Sequence, residues 1–326
     1  MRIRLISPDG PQERAVDELG TLLDGPDLVW VDVPSWDDEA ESVLGTLLHL
    51  HPRAVQDCAR RNPVPKVHVY PDQVFVVLHA PEPGRRGHVH FVELDQFIGK
   101  NYLVTVHGPL NPLVPPEAAM VETDAVVRRL ETGRVRPDSA AGLSFAIVTG
   151  LTGRMRDRLT TSTQEVWRLE QTVTAGHLGD PEQFLEELFQ VRHVLLALRT
   201  IAAMSGEVYG RMATLAVFGT GRDSALLADI EDQFRRLGAM AGSQREYLQG
   251  VIEFYQARTG TKMTIAAERL AVIAALTLPI TALSSIMGMN VIVNEATQVP
   301  VLVVLLVVMA AMSLTLLTWA RRKGWW

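Results

Sequence analysis

The tripeptide Gly288-Met289-Asn290 ends a long apolar run with two residue types that can meet a hydrated metal ion. Asn290 offers a neutral amide oxygen, and Gly288 lets the backbone turn out of a helix and approach a neighbour closely. A strongly hydrated cation sheds its inner waters reluctantly, so a site that selects one should hydrogen-bond to the hydrated ion. Neutral oxygens can do this and still release the ion. A helix C-cap explains glycine or asparagine here on local grounds, but not both together.

Histidine is the other residue type whose spacing could bind a metal. His49 and His51, and likewise His88 and His90, place two imidazoles on one side of an extended chain, which suits zinc. No third ligand follows at the spacing of a structural zinc site, so surface or packed histidines are the preferred interpretation. The single Cys58 excludes an internal disulfide and agrees with a cytosolic location for most of the chain.

The chemistry that the sequence lacks narrows the function further. There is no GxxxxGK[ST] phosphate loop and no Ser/His/Asp or Cys/His grouping, so we expect neither an enzyme nor an organic cofactor. A net charge of −6 argues weakly against a nucleic-acid partner.

Two apolar segments position the tripeptide. No residue between Arg269 and Glu295 is ionisable, and none is between Glu295 and Arg321. Each segment supplies the roughly 20 apolar residues that cross a bilayer core as a helix. Residues 266–326 are therefore predicted to form a two-helix transmembrane hairpin with a C-terminal tail, embedded in the lipid bilayer.

Basic residues give the hairpin an orientation. Arg258, Lys262 and Arg269 precede the first segment, and residues 321–323 follow the second, whereas the loop at 290–298 has no Lys or Arg. By the positive-inside rule both flanks are cytoplasmic. The N-terminus lacks the apolar run of a signal peptide. We expect a plasma (inner) membrane protein with two spanning helices and both termini in the cytoplasm.

Residues 1–138 are predicted to form a cytoplasmic α/β domain, because β-branched runs alternate with helical patterns. Ser35 is the predicted N-cap of the first helix. The predicted strands are 28–33, 66–70, 73–79, 88–98 and 101–107, and the predicted helices are 40–50 and 52–60.

Residues 139–265 are predicted to form a helical stalk. Helical patterns cover 139–173, 181–208 and about 222–289, and the second opens on Asp180 as N-cap. The third helix would be on the order of 100 Å long. It continues into the first membrane segment.

Several segments resemble the CorA-type divalent-cation transporter family. Besides residues 288–290, which match its GMN motif, HPRAVQD at 51–57 and PKV at 65–67 resemble the family's HPLxxED…RPKV region. NYLVTVH at 101–107 resembles its NFLVTVH strand, and DIEDQ at 229–233 resembles its RDVYDH stretch. The likeness covers most of the chain, and GMN in this topological position is its most specific part.

The resemblance implies a homo-oligomer, a pentamer, with a central pore lined by the first membrane helix. Helical spacing back from Gly288 gives one candidate face, with Leu278 and Leu270 as hydrophobic gates. The six residues of this face are Ser285, Thr281, Leu278, Ala274, Leu270 and Ala267. Ordinary helix packing is the alternative for them. Glu295 is interpreted either as an outer acidic ring or as an ordinary loop acid.

The resemblance also implies control by cytosolic Mg²⁺ bound between subunits. Asp229 matches the family's regulatory aspartate, Asp232 lies one turn further on, and Glu253 and Glu246 are weaker candidates. An exposed acidic helix start near Asp223 is the alternative. The expected function is Mg²⁺ uptake driven by the membrane potential, with Co²⁺ and Ni²⁺ as further ions. A zinc transporter of the ZntB type, with or without proton coupling, and a tethered sensor or enzyme remain alternatives.

Overall fold

The computed structural model describes residues 1–7, 10–84, 87–176, 180–218, 221–288 and 299–322. Its strands are β1 Arg2–Ser7, β2 Gly10–Arg14, β3 Leu28–Val33, β4 Lys66–Val69, β5 Val74–Pro83, β6 Val89–Ile98 and β7 Tyr102–Val106. Its α-helices are α1 Leu19–Leu23, α2 Asp38–Thr46, α3 Pro52–Cys58, α4 Val121–Glu131, α5 Ala140–Ala175, α6 Pro181–Ala213, α7 Arg222–Gly288 and α8 Val299–Arg322.

The strands form one mixed sheet in the order β2-β1-β3-β7-β6-β5-β4. β3 and β7 are parallel, with Val29 opposite Tyr102, and the other neighbours are antiparallel. All six residues of β3 are buried. A strand covered on both faces has no need to alternate apolar and polar side chains, which explains the continuous apolar run in this segment.

Each face of the sheet is covered by helices. One face packs on α1, α2 and α3 through a core that includes Leu44 and Cys58, with the rings of Phe75 and Phe97 4.7 Å apart. On the other face, Ser144 of α5 donates a hydrogen bond to Gln96 of β6 at 2.6 Å. This is the α/β domain predicted from the sequence.

The five predicted strands are confirmed, but two details were wrong. Asp37, not Ser35, caps α2, since its carboxylate accepts from the N–H of Ala40 at 2.8 Å. The helix ends at Thr46 rather than at residue 50. Four elements, β1, β2, α1 and α4, were not predicted.

The long helices begin where their caps predict. Asp180 accepts from the N–H of Glu182 at 2.9 Å, with Pro181 in the first helical position.

Contacts divide the chain into two compact units, Met1–Val251 and Ile252–Trp326. The functional boundaries at 138/139 and 265/266 stay predictions.

In the described part of the chain, one helix, α7, is long and apolar enough to cross a membrane. Its 67 residues include Pro279. The 24-residue α8 carries no ionisable side chain before Arg321.

Candidate functional site

The candidate face of α7 is exposed along its whole length. All six side chains predicted to line a pathway are exposed, and for both Leu270 and Leu278 the exposed fraction is 66%. Large apolar side chains exposed to this extent require either lipid or another protein surface to cover them.

A second stripe on α7 lies on the opposite side of the helix. Val272 is buried, with 6% of its surface exposed. Leu276, Pro279 and Leu283 are partly buried. At 3.6 residues per turn this stripe lies roughly 165° from the centre of the candidate face. The six candidate residues therefore occupy the side turned away from the chain's own packing.

Within the apolar segment of α7, residues 270–285, the hydroxyl groups lie on the exposed side. Thr277, Thr281, Ser284 and Ser285 fall within an arc of roughly 100° around the helix axis. The Thr277 hydroxyl donates to the carbonyl of Ile273 at 2.9 Å, and the Thr281 hydroxyl donates to the carbonyl of Thr277 at 2.8 Å. Each proton is engaged by the backbone, so the oxygen keeps its lone pairs as acceptors. Such oxygens suit a cation or its water.

The tripeptide lies at the edge of what the structure describes. The described part of α7 reaches Gly288. Met289, Asn290 and Glu295 are outside the described residues, so the predictions made for them stay predictions.

Asp229 is exposed on α7 and is held in place from α5. Its Oδ2 accepts from Nε2 of Gln233 at 2.9 Å. The Oε1 of Gln233 accepts from the hydroxyl of Thr152 on α5 at 2.6 Å. The carboxylate therefore has a fixed position and an open side, as a ligand shared with a second molecule would need.

The other predicted acids differ from Asp229. Asp232 pairs with Arg236 one turn along α7, so its charge is already balanced. Glu246 and Glu253 are exposed. No three His, Cys, Asp or Glu side chains in the described ranges come together as a metal site.

The first histidine pair has structural roles. His51 caps α3 by accepting from the N–H of Arg53 at 3.3 Å, and its ring stacks on Tyr70 with centroids 4.1 Å apart. His49 is exposed and has φ of 50°. The interpretation of His51 as a packed histidine is therefore confirmed.

A buried hydrogen-bond chain at the centre of the sheet was not predicted. Trp30 Nε1 donates to Thr105 Oγ1 at 3.0 Å, and Thr105 donates to Asp32 Oδ1 at 2.6 Å. His107 Nε2 lies 2.9 Å from the same oxygen. Burial alone would raise the pKa of Asp32, but the hydrogen bond and charge of His107 outweigh it and the pKa is lowered. The sequence signal that could have predicted this hydrogen-bond chain is Asp32, a single aspartate within the apolar strand β3.

A second buried group lies between α3 and β6. Asp95 is fully buried and interacts with Cys58 and Glu93. Burial raises the pKa of Asp95 well above its ordinary value, and the charge of Glu93 raises it further. Burial also raises the pKa of the Cys58 thiol. These groups stabilise or strain the domain and are not arranged as a catalytic site.

Arg154 joins α5 to the sheet. Its guanidinium pairs with Glu82 of β5 and with Glu122 of α4 and donates to the carbonyl of Ala118 at 3.0 Å. Burial raises the pKa of Glu122, and the charge of Arg154 opposes that shift. The three charges lie in a largely buried setting, where breaking the network costs more than at a surface.

The structure thus combines an α/β domain with long helices and an exposed apolar segment of α7 that carries hydroxyl groups. The chain belongs to the family of CorA-like Mg²⁺ transporter proteins, whose sequence model matches residues 25–322. Membership confirms the predicted class: a divalent-cation transporter located in a membrane, not an enzyme. The alternative of a tethered enzyme is therefore wrong.

Individual relatives agree with this family assignment. The chain is 25% identical over 315 residues to YfjQ of Bacillus subtilis (strain 168), a candidate metal ion transporter, with 92% of this chain and 91% of YfjQ covered. The complete CorA magnesium transporter of Methanocaldococcus jannaschii superposes with a TM-score of 0.80 at 18% identity, covering 100% of this chain and 99% of that one. The ZntB cytoplasmic domain of Vibrio parahaemolyticus RIMD 2210633 superposes with a TM-score of 0.56 at 11% identity, covering 80% and 98%. These likenesses confirm a CorA-type fold.

Proposed function

We propose that the protein is a homopentamer in the plasma membrane that takes up Mg²⁺, and also Co²⁺ and Ni²⁺, along the membrane potential. α7 and α8 form the spanning hairpin, with both termini in the cytoplasm. An interior-negative potential contributes about 2.3 kcal/mol per charge per 100 mV, and twice that for a divalent ion, so no nucleotide is needed.

The observation that carries this proposal is the pair of opposite faces on α7. One face is shielded by the chain itself, and the other is exposed and carries the hydroxyl groups. A single hairpin cannot enclose water, whereas copies related by cyclic symmetry can bring their hydroxyl-bearing faces around one axis. Leu278 and Leu270 then form apolar rings that close the path by excluding water.

At the outer end, residues 288–290 select the ion. Five Asn290 amide oxygens and the Gly288 carbonyls accept hydrogen bonds from the water shell of Mg²⁺, which the ion keeps. Glu295 adds an outer ring of negative charge that concentrates cations.

Control comes from cytosolic Mg²⁺ bound between neighbouring subunits. Asp229 is the main ligand, with Asp232 and Glu253 contributing. The exposed position of Asp229, whose carboxylate accepts a hydrogen bond from Gln233, supports this role. Like charges that face each other across an interface repel, and a bound ion removes the repulsion and favours the closed state.

Two adjacent alanines allow a direct test of the pathway. Ala274 and Ala275 are both exposed, but they lie about 100° apart around α7 and only Ala274 belongs to the candidate face. In liposomes, Ala274→Cys should lose Mg²⁺ uptake on treatment with a cationic methanethiosulfonate, while Ala275→Cys should not. The native Cys58 is buried and should not react. Equal block of both variants, or of neither, would refute the assignment.

Zinc transport is the second candidate, because the same fold occurs in a ZntB cytoplasmic domain. Uptake of Mg²⁺, Zn²⁺ and Co²⁺ measured side by side in one liposome preparation, with and without a proton gradient, separates the two. Faster uptake of Mg²⁺ without a gradient supports the first proposal. Zinc uptake that requires the gradient supports the second.

A further inference from the structure

We propose that His88 and His193 together bind a transition-metal ion, Zn²⁺ being the best fit, at a site within the Met1–Val251 unit. His88 lies just before β6, after the turn that follows β5, and His193 lies on α6. Both side chains are exposed to solvent. A metal ion can therefore reach them without any change in the fold.

The two rings are close to the separation that a shared metal requires. Their centroids are 6.3 Å apart and their planes are at 81°. With zinc–nitrogen bonds of about 2.0–2.1 Å and tetrahedral angles, two coordinated imidazoles have ring centres roughly 5 Å apart. Exposed side chains change rotamer readily, so a movement of roughly 1 Å closes the difference.

The chain fixes the spacing between the two elements. Gly87 has φ of +73°, and a Cβ there would lie 2.4 Å from Cβ of Gln190 on α6, so glycine is what allows this close approach. The N–H of Gly84 donates to the carbonyl of His88 at 2.7 Å, which joins the end of β5 to the start of β6. Ligands on elements already packed together lose little entropy when they bind an ion.

His90 is not part of the site. A Cβ on Gly84 would lie 2.7 Å from Nε2 of His90, so this ring already packs over the glycine. No third His, Cys, Asp or Glu in the described ranges completes a cluster. A bound ion would thus have two imidazoles and water as ligands. Imidazole suits Zn²⁺, Cu²⁺ and Ni²⁺, whereas Mg²⁺ prefers oxygen.

The site can be tested with zinc alone on the purified full chain. In a competition titration with a fluorescent zinc chelator, the wild type should bind one more Zn²⁺ per chain than His88→Ala or His193→Ala. Alternatively, either substitution should weaken that one site at least tenfold. Mg²⁺ in large excess should not displace the zinc.

His90→Ala is the matched control, because it removes a neighbouring histidine two residues from His88 and should retain the zinc. The proposal is refuted if the wild type, His88→Ala and His193→Ala bind the same number of zinc ions with the same affinity. It is refuted as well if His90→Ala loses the zinc. An Asn290→Ala variant that keeps the zinc shows that the site is separate from the transport pathway.

Discussion

The backbone N–H of Asn62 donates to Oε2 of Glu93 at 2.8 Å, and its side-chain amide donates to Oε1 of the same carboxyl group at 2.5 Å. The carbonyl of Asn62 lies 2.8 Å from Nε2 of His79. One residue between α3 and β4 is thereby bound to both β5 and β6. Burial raises the pKa of Glu93, and these hydrogen bonds oppose the shift.

Asn62→Ala should destabilise the protein by roughly 1–3 kcal/mol, because it leaves a buried carboxyl group without its side-chain donor. Thermal unfolding of the full chain measures this. Asn111→Ala removes only a local contact to the N–H of Leu113 and serves as the control. An unfolding temperature unchanged by Asn62→Ala would contradict the role given to this contact.

Asp95 should make stability fall as the pH rises. Its folded-state pKa is raised above the ordinary 3.8, so the folded protein keeps a proton that the unfolded chain has lost. The contribution of Asp95 to stability is therefore most favourable below 3.8 and is lost as the pH rises toward the folded pKa. Asp95→Asn has no such proton, so its stability relative to wild type should increase with pH, by at most about 1.4 kcal/mol per unit.

Unfolding temperatures of wild type and Asp95→Asn between pH 5 and pH 8 decide this. The exposed Asp72→Asn is the control and should follow the wild type. Parallel curves for wild type and Asp95→Asn would mean that Asp95 is already ionised in the folded protein.

Much of the architecture was predictable from local patterns. β3 and β7 are β-branched runs, and Asp180-Pro181 is a strong helix start, so each was found. β1 was missed although RIRL at 2–5 alternates polar and apolar side chains, the pattern of a half-buried strand, whereas β2 was missed because GPQER is polar throughout. β2 lies at the edge of the sheet, where apolar side chains are not required.

Sequence patterns likewise predict some features of the candidate site and miss others. The face of α7 follows from helical spacing, which sequence carries directly. The contact between Asn62 and Glu93 joins residues 31 positions apart, and it depends on which strands become neighbours. Periodicity within one segment contains no such information.

Regulation by Asp229 gives a prediction about protease resistance. Wild-type protein should become more resistant as Mg²⁺ rises through the millimolar range, because ion binding between subunits favours the closed state. Asp229→Ala should need about tenfold more Mg²⁺ for the same protection, as expected when one charged ligand is lost. Asp157→Ala, an exposed acid on α5, should resemble the wild type. If all three proteins respond alike, the assignment of Asp229 is wrong.

Leu278→Ser should make the path leak. A hydroxyl in place of an apolar ring allows water to remain in the constriction, so resting Mg²⁺ flux should increase severalfold. Ile273→Ser is the matched control, since Ile273 is also well exposed, at 56%, but lies on another side of α7. Dye-reported flux in liposomes measures both. A leak of equal size in the control would indicate general damage to the helix.

The central claim is that α7 lines the ion path, with residues 288–290 at its outer mouth. Mg²⁺ uptake by Asn290→Ala in liposomes tests it most directly, with assembly checked by size-exclusion chromatography. The account predicts uptake reduced at least tenfold by a variant that assembles like the wild type. Unimpaired uptake by such a variant would contradict it.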